Sequence, residues 1–69
     1  MSNIINWVYV YMFLKDYDVI DAIDPHTLAA LRRYICLNPV SVREVAVMLS
    51  VYSVMSVDMI AKRLIALAK

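Results

Sequence analysis

The sequence has no glycine and a single cysteine, Cys36, in 69 residues. Phosphate-binding loops and dinucleotide-binding fingerprints require glycine, because only a residue without a Cβ lets the backbone approach a phosphate closely. A lone cysteine cannot form a disulfide within the chain, nor a zinc site built on paired cysteines. These absences exclude two common nucleotide-binding motifs and a disulfide-stabilised scaffold.

Charged residues are also scarce, at 19% of the chain, and the formal net charge is only +1. Apolar residues make up 64%, well above the roughly 45–50% of an average soluble domain. This composition excludes intrinsic disorder. Because a domain of this length buries only about 60% of its unfolded surface, the apolar side chains exceed what one core can hide. We expect the surplus to lie against a second copy of the chain in a homodimer, with another protein as the alternative partner.

The apolar N-terminal run is too short to cross a membrane. It covers residues 4–14, contains Asn6 and ends at Lys15, whereas a spanning helix needs about 20 residues. The residues before it carry none of the basic side chains that a secretory signal requires. From these features we expect a cytoplasmic protein without a membrane partner.

Capping residues and prolines mark the first clear helix. Asp24 followed by Pro25 is typical of a helix start, since Asp accepts bonds from free backbone N–H groups and proline suits the first helical position. Pro39 predicts that this helix ends by Asn38. The apolar residues at helical spacing predict a buried stripe of Leu28, Leu31 and Ile35.

Two serines start two further helices. Ser41 with Glu44 has the S-x-x-E form of a capping box, and Ser56 precedes Asp58, whose negative charge suits the first turn of a helix. Apolar residues recur at helical spacing after both serines. The predicted buried stripes are Val42, Val45, Ala46 and Leu49 in one helix, and Val57, Ile60, Leu64 and Leu67 in the other.

The N-terminal segment is apolar on more than one side. Its length and lack of polar alternation favour a helix near residues 3–15 capped by Asn3, although Trp-Val-Tyr-Val-Tyr at 7–11 also has strand propensity. A helix that is apolar on two sides is buried on both. This suits a dimer arm, and the alternative is that these side chains simply pack in the core of one chain. The helix after Ser41 also has a second apolar face. The candidates for a dimer or partner interface are Ile4, Trp7, Val8, Tyr11, Val47 and Met48.

Together these signals predict a single all-α domain over residues 1–69. Its four helices lie near residues 3–15, 25–37, 42–50 and 56–68. The first 23 residues form the apolar N-terminal helix and an acidic linker, in which residues 17–23 are either a short helical turn or a plain link. Residues 24–69 form the remaining three-helix core.

Residues 40–51 and 56–64 resemble the helix-turn-helix domain of small bacterial and phage transcription regulators. The shared pattern is S-x-x-E-[apolar]-A-x-x-L, which runs here from Ser41 through Ala46 to Leu49. The resemblance implies a tri-helical core in which the helix after Ser56 lies in the DNA major groove. The sequence departs from the family pattern in that we expect no β-hairpin wing after this helix. The connection after Leu49 is about two residues longer than in that family and lacks its usual glycine.

The resemblance also implies which residues meet DNA. Ser56 and Met59 lie nearest the bases, although residues 57–59 include no arginine, asparagine or glutamine for bidentate base contacts. Basic side chains on the same helices contact phosphates, and the alternative interpretation of these residues is a solvated helix face. The basic candidates are Arg32, Arg33, Arg43, Lys62 and Arg63.

We therefore expect a DNA-binding transcription regulator that acts as a dimer, without enzymatic activity, cofactor or metal. The alternative is a non-enzymatic protein-binding module, such as a small antagonist or adaptor, which uses an apolar helical surface; the near-neutral charge favours it. Among residues with reactive side chains, His26 is expected at the surface and Cys36 as a small buried side chain. The remaining carboxylates are expected to form a solvated linker: Asp16, Asp18, Asp21 and Asp24.

Overall fold

The computed structural model describes residues 4–69, which form four α-helices and one two-stranded sheet. In chain order the elements are β1 (Ile4–Ile5), α1 (Trp7–Asp16), α2 (Pro25–Leu37), β2 (Val40–Ser41), α3 (Val42–Leu49) and α4 (Val57–Ala68). Short 3₁₀ turns at Ile20–Ala22 and Ser50–Tyr52 lie in two of the connections. The predicted all-α class is confirmed, and the three C-terminal helices have the predicted bounds to within one residue.

α2 begins at the predicted cap. The Asp24 carboxylate accepts bonds from the backbone N–H groups of His26 and Thr27 at 2.9 and 3.1 Å, and from the Thr27 hydroxyl at 2.6 Å. These bonds, led by the one from the Thr27 hydroxyl, stabilise the ionised carboxylate and lower the pKa of Asp24 below its usual value. Pro25 occupies the first helical position, where a backbone N–H group would have no partner within the helix, so its absence costs no hydrogen bond.

α3 begins with one half of the predicted capping box. The Ser41 hydroxyl accepts a bond from the backbone N–H of Glu44 at 3.1 Å. The Glu44 carboxylate does not complete the box; it accepts a bond of 2.6 Å from the Tyr34 hydroxyl and so joins α3 to α2. This bond, together with the negative charge of Glu44, raises the pKa of Tyr34.

The predicted start of the N-terminal helix is wrong. Ile4 and Ile5 form β1, which pairs antiparallel with β2 so that Ile4 lies opposite Ser41 and Ile5 opposite Val40. Helix α1 therefore starts only at Trp7 and ends one residue beyond the predicted position, while the proposed cap Asn3 lies outside the described residues. Isoleucine suits a strand because its branched Cβ packs well on a pleated surface, and the pairing buries Ile5 against the core.

The core lies where α4 packs against both α3 and α1. Every residue of the stripe predicted for α3 is buried, as are Ile60 and Leu64 of the stripe predicted for α4. Helix α1 contributes three buried residues to this core, Val10, Phe13 and Leu14. The side chains of these three helices with no exposed surface are Val10, Phe13, Leu14, Val45, Ala46, Leu49, Ile60 and Leu64.

Helix α2 buries little of its surface, and this corrects the expectation for Cys36. Ile35 is the one buried residue of α2, and Leu28 and Leu31 are partly buried beside it. Cys36 is exposed. It follows Ile35 directly, and because successive residues of a helix are rotated by about 100°, its side chain lies outside the narrow buried stripe. His26 and the four linker aspartates are exposed, as expected.

Among residues 4–69, no helix is long and apolar enough to cross a lipid bilayer.

Candidate nucleic-acid interface

Helices α3 and α4 are joined by a connection that needs no glycine. It runs from Ser50 to Ser56 through a 3₁₀ turn and then an extended Ser53, whose hydroxyl accepts a bond from the backbone N–H of Met55 at 3.1 Å. In the described part of the chain only Asp18 has a positive φ, of 57°. Glycine is favoured in turns that require positive φ. Because the residues of this connection all have negative φ, the connection forms without glycine.

The outward face of α4 carries the residues that sequence analysis placed nearest DNA. Ile60 and Leu64 point into the core, and Met59, Lys62, Arg63 and Ala66 follow the i, i+3, i+4, i+7 spacing of the opposite side. These four, with Ser56 and Asp58, line a surface depression of about 340 Å³. The structure thus brings Ser56, Met59, Lys62 and Arg63 together.

The N-terminal end of this face is tied to α3 by an ion pair. The Arg43 guanidinium lies 3.0 Å from the Asp58 carboxylate, and both side chains are largely exposed. An exposed pair of this kind contributes little to stability. Its consequence for the surface is electrostatic, because Arg43 offsets the charge of Asp58, the one carboxylate among the residues that line the depression.

The C-terminal half of the face contacts the end of α1. The Arg63 guanidinium lies 5.7 Å from the centre of the Tyr17 ring, within the range of a cation–π contact. Arg43–Asp58 is the one ion pair found in residues 4–69. Lys62, which points directly away from the core, therefore has no carboxylate partner in that part of the chain.

Arg32 and Arg33 lie on a different patch. They line a depression on the exposed side of α2 together with Ala29, Cys36 and Leu37. This depression shares no residue with the one on α4. The structure therefore places this arginine pair apart from Lys62 and Arg63, whereas Arg43 adjoins them through Asp58.

The small net charge of the chain hides an uneven distribution. Residues 1–24 contain one basic and four acidic side chains, a formal net charge of −3, whereas residues 25–69 contain six basic and two acidic side chains, a formal net charge of +4. Nearly all of the positive charge thus lies in the part of the chain that holds α2, α3 and α4.

The predicted interface residues divide between two environments. Ile4, Val8 and Tyr11 are exposed on the outer side of β1 and α1, and Val8 has 61% of its surface accessible. Trp7 is half-buried against the core and its ring lies 5.9 Å from that of Tyr11. Met12, which is 41% exposed beside Val8 and Tyr11, was missed by the sequence analysis.

The two interface candidates in α3 also differ. Val47 is exposed, whereas Met48 is half-buried and lines an apolar groove between α2, α3 and the turn after α3. The groove has a volume of about 340 Å³, and its walls include Leu31, Tyr34, Val51 and Tyr52. Sequence periodicity alone did not reveal it, because its walls come from separate elements. Within residues 4–69 no three side chains of His, Cys, Asp or Glu are grouped to hold a metal ion.

No protein-family model matches the chain, and comparison with curated proteins and with solved structures found no match.

Proposed function

We propose that this chain is a small DNA-binding protein that presents the outward face of α4 to the major groove and regulates transcription as a dimer. The observation that carries the proposal is the grouping of Ser56, Met59, Lys62 and Arg63 on one face of a capped helix whose opposite face is buried. A face held in this way is formed before DNA arrives, so little ordering is required on binding.

The dimensions of α4 suit the proposed site. The helix has 12 residues, which corresponds to a length of about 18 Å, and a B-DNA major groove of about 12 Å width admits one α-helix. Its first turn is capped by Ser56, whose hydroxyl accepts a bond from the backbone N–H of Met59 at 3.2 Å. In helix-turn-helix proteins the N-terminal residues of the second helix contact base edges.

The charge distribution also supports this function. Proteins that bind DNA commonly neutralise about 6–10 phosphates. Residues 25–69 of one chain hold six basic side chains, and Lys62 and Arg63 are the two that line the depression on α4. A dimer doubles that number. The Arg43–Asp58 pair removes the local repulsion that a free carboxylate would exert on the DNA backbone.

The DNA-binding function predicts a salt-dependent affinity. In fluorescence anisotropy with a labelled mixed-sequence duplex, we expect micromolar binding at about 50 mM salt and a steep loss at about 200 mM, because phosphate contacts release condensed counterions. A folded sample that leaves the anisotropy unchanged at the lower salt would contradict the proposal.

A second candidate function rests on the apolar face of α1. Val8, Tyr11 and Met12 are exposed on the side of α1 opposite its buried residues, and Ile4 of β1 is exposed as well. Aromatic and methionine side chains are enriched in protein interfaces. In the DNA-binding proposal this surface, termed here the α1 face, is covered by a second copy of the chain. In the second candidate function it binds a different protein.

A charge on the α1 face separates these possibilities. We expect the wild-type protein to sediment as a dimer and Val8→Glu to sediment as a folded monomer, because an interface cannot bury an unpaired carboxylate without a large desolvation cost. Val54→Glu is the matched control, since Val54 is fully exposed in the connection between α3 and α4.

The oligomeric state then decides what the α1 face binds. If the wild-type protein is monomeric at concentrations at which it binds DNA, the proposal that it dimerises through the α1 face is contradicted. The protein-binding module would be favoured by a wild-type protein that is monomeric and does not bind DNA but does bind another protein. Val8→Glu should then lose that protein partner, and Val54→Glu should keep it.

A further inference from the structure

Met59 stands out among the side chains that line the depression on α4, because it is the one long apolar side chain there. It lies in the first turn of the helix and is 45% exposed. The bond from its backbone N–H to the Ser56 hydroxyl holds that turn in place. Lys62 and Arg63 follow one turn later on the same face.

The polar groups that usually read bases are missing or occupied at this end of α4. No asparagine or glutamine occurs in residues 57–69, so the bidentate amide contact with adenine is unavailable to this helix. A carboxylate can accept a bond from the cytosine amino group, but the Asp58 carboxylate is held by Arg43 at 3.0 Å. The accessible group that remains beside Ser56 in the first turn is the Met59 side chain.

The major groove offers one apolar group to such a side chain, the C5-methyl group of thymine. Resting on the proposed DNA-binding function, we infer that Met59 recognises the 5-methyl group of pyrimidines in the major groove. The site therefore favours thymine over uracil, and 5-methylcytosine over cytosine, because each pair differs by that methyl group alone. Lys62 and Arg63 supply the phosphate contacts of the proposed function, and Met59 adds discrimination by the methyl group.

The inference is tested by competition against a labelled duplex with unlabelled duplexes of identical sequence. One pair of competitors contains thymine or uracil throughout, and a second pair contains 5-methylcytosine or cytosine. We expect the methylated member of each pair to bind about fourfold more tightly for each methyl group contacted, the effect of burying one apolar carbon.

Two variants show whether Met59 is responsible. Met59→Ala is expected to bind both members of each pair with similar affinity, close to that of the wild-type protein for the unmethylated duplex. Ile65→Ala is the matched control, because Ile65 has a similar exposed fraction, 40%, on the same helix but does not line the depression; we expect it to keep the full preference.

The outcomes separate this inference from the function on which it rests. Equal binding of the methylated and unmethylated duplexes by the wild-type protein would overturn methyl recognition while leaving DNA binding in place. A preference that survives in Met59→Ala would overturn the role of Met59, since the groove itself would then be the source. Failure of the folded protein to bind any duplex at about 50 mM salt would overturn both proposals.

Discussion

Replacing Phe13 by alanine is expected to lower the free energy of unfolding by about 3–5 kcal/mol, the usual cost of removing a buried aromatic side chain. Phe13 has no exposed surface and lies in the core on the side of α1 that packs against α4. Its ring also contacts that of Tyr17 at 4.9 Å between centres. The substitution removes apolar contacts and leaves a cavity that neighbouring helices fill only in part.

The size of the effect matters because the domain is small. Folded proteins are stable by roughly 0.05–0.15 kcal/mol per residue, so the loss expected for Phe13→Ala is a large fraction of the stability of a chain of 69 residues. Urea titration followed by far-UV circular dichroism, with the fluorescence of Trp7 as a second probe on α1, should show a midpoint of unfolding at a much lower urea concentration than that of the wild-type protein. Leu37→Ala is the control, because Leu37 is exposed at the end of α2 and surface substitutions typically change stability by less than about 0.5 kcal/mol.

The experiment also distinguishes two roles for α1. A detachable dimer arm would tolerate the loss of Phe13, and the midpoint of unfolding would then stay at the wild-type value. The structure instead has α1 contributing Val10, Phe13 and Leu14 to the common core. We therefore expect the two probes to lose their signals together, in one cooperative transition.

The double substitution of Lys62 and Arg63 by alanine is expected to weaken DNA binding by about 200-fold at about 50 mM salt. Each neutralised phosphate contributes about 0.9 to the slope of log affinity against log salt, and the factor follows from two lost contacts when affinities at about 1 M salt are taken as equal. The slope itself should fall by about 2 units. Both side chains are exposed, so the fold should remain intact by circular dichroism.

The matched control is Arg32→Ala with Arg33→Ala, which changes the net charge by the same amount. These arginines line a separate depression on α2, and we expect a much smaller loss of affinity than for the α4 pair. Equal losses in the two double variants would show that binding follows net charge rather than the face of α4. Wild-type affinity in the α4 variant would show that this face does not bind DNA.

Much of the candidate site could be predicted because it depends on one helix. The spacing of Met59, Lys62 and Arg63 relative to Ile60 and Leu64 determines that they lie on the outer side once the apolar stripe is buried. The bonds made by Asp24, Ser41 and Ser56 at helix starts reach no further than three residues along the chain. Such short-range signals are present in the sequence itself.

The contacts that complete the site could not be predicted in this way. The pairing of Arg43 with Asp58 and the contact of Arg63 with Tyr17 join separate elements. Both depend on how α3, α4 and α1 are oriented when their apolar stripes meet. Charge alone did not specify either partner, because several acidic and aromatic residues are available in the chain.

The two errors of the sequence analysis have the same physical origin. Ile4 and Ile5 form a strand because their backbone pairs with that of Val40 and Ser41, which lie far along the chain. Cys36 lies between the apolar residues Ile35 and Leu37, and periodicity does not decide which of the three faces inward. The position of α2 at the edge of the core decides it in favour of Ile35.

By itself, the sequence determined the helical class, the start of each C-terminal helix and the composition of the outward face of α4, since these depend on hydrogen bonds and periodicities within a few residues. Only the tertiary structure decided that α1 belongs to the core, that a short sheet joins the N-terminus to the segment before α3, and that Arg43 neutralises Asp58. These features depend on which buried surfaces meet, and that choice is made by the packing of the whole chain.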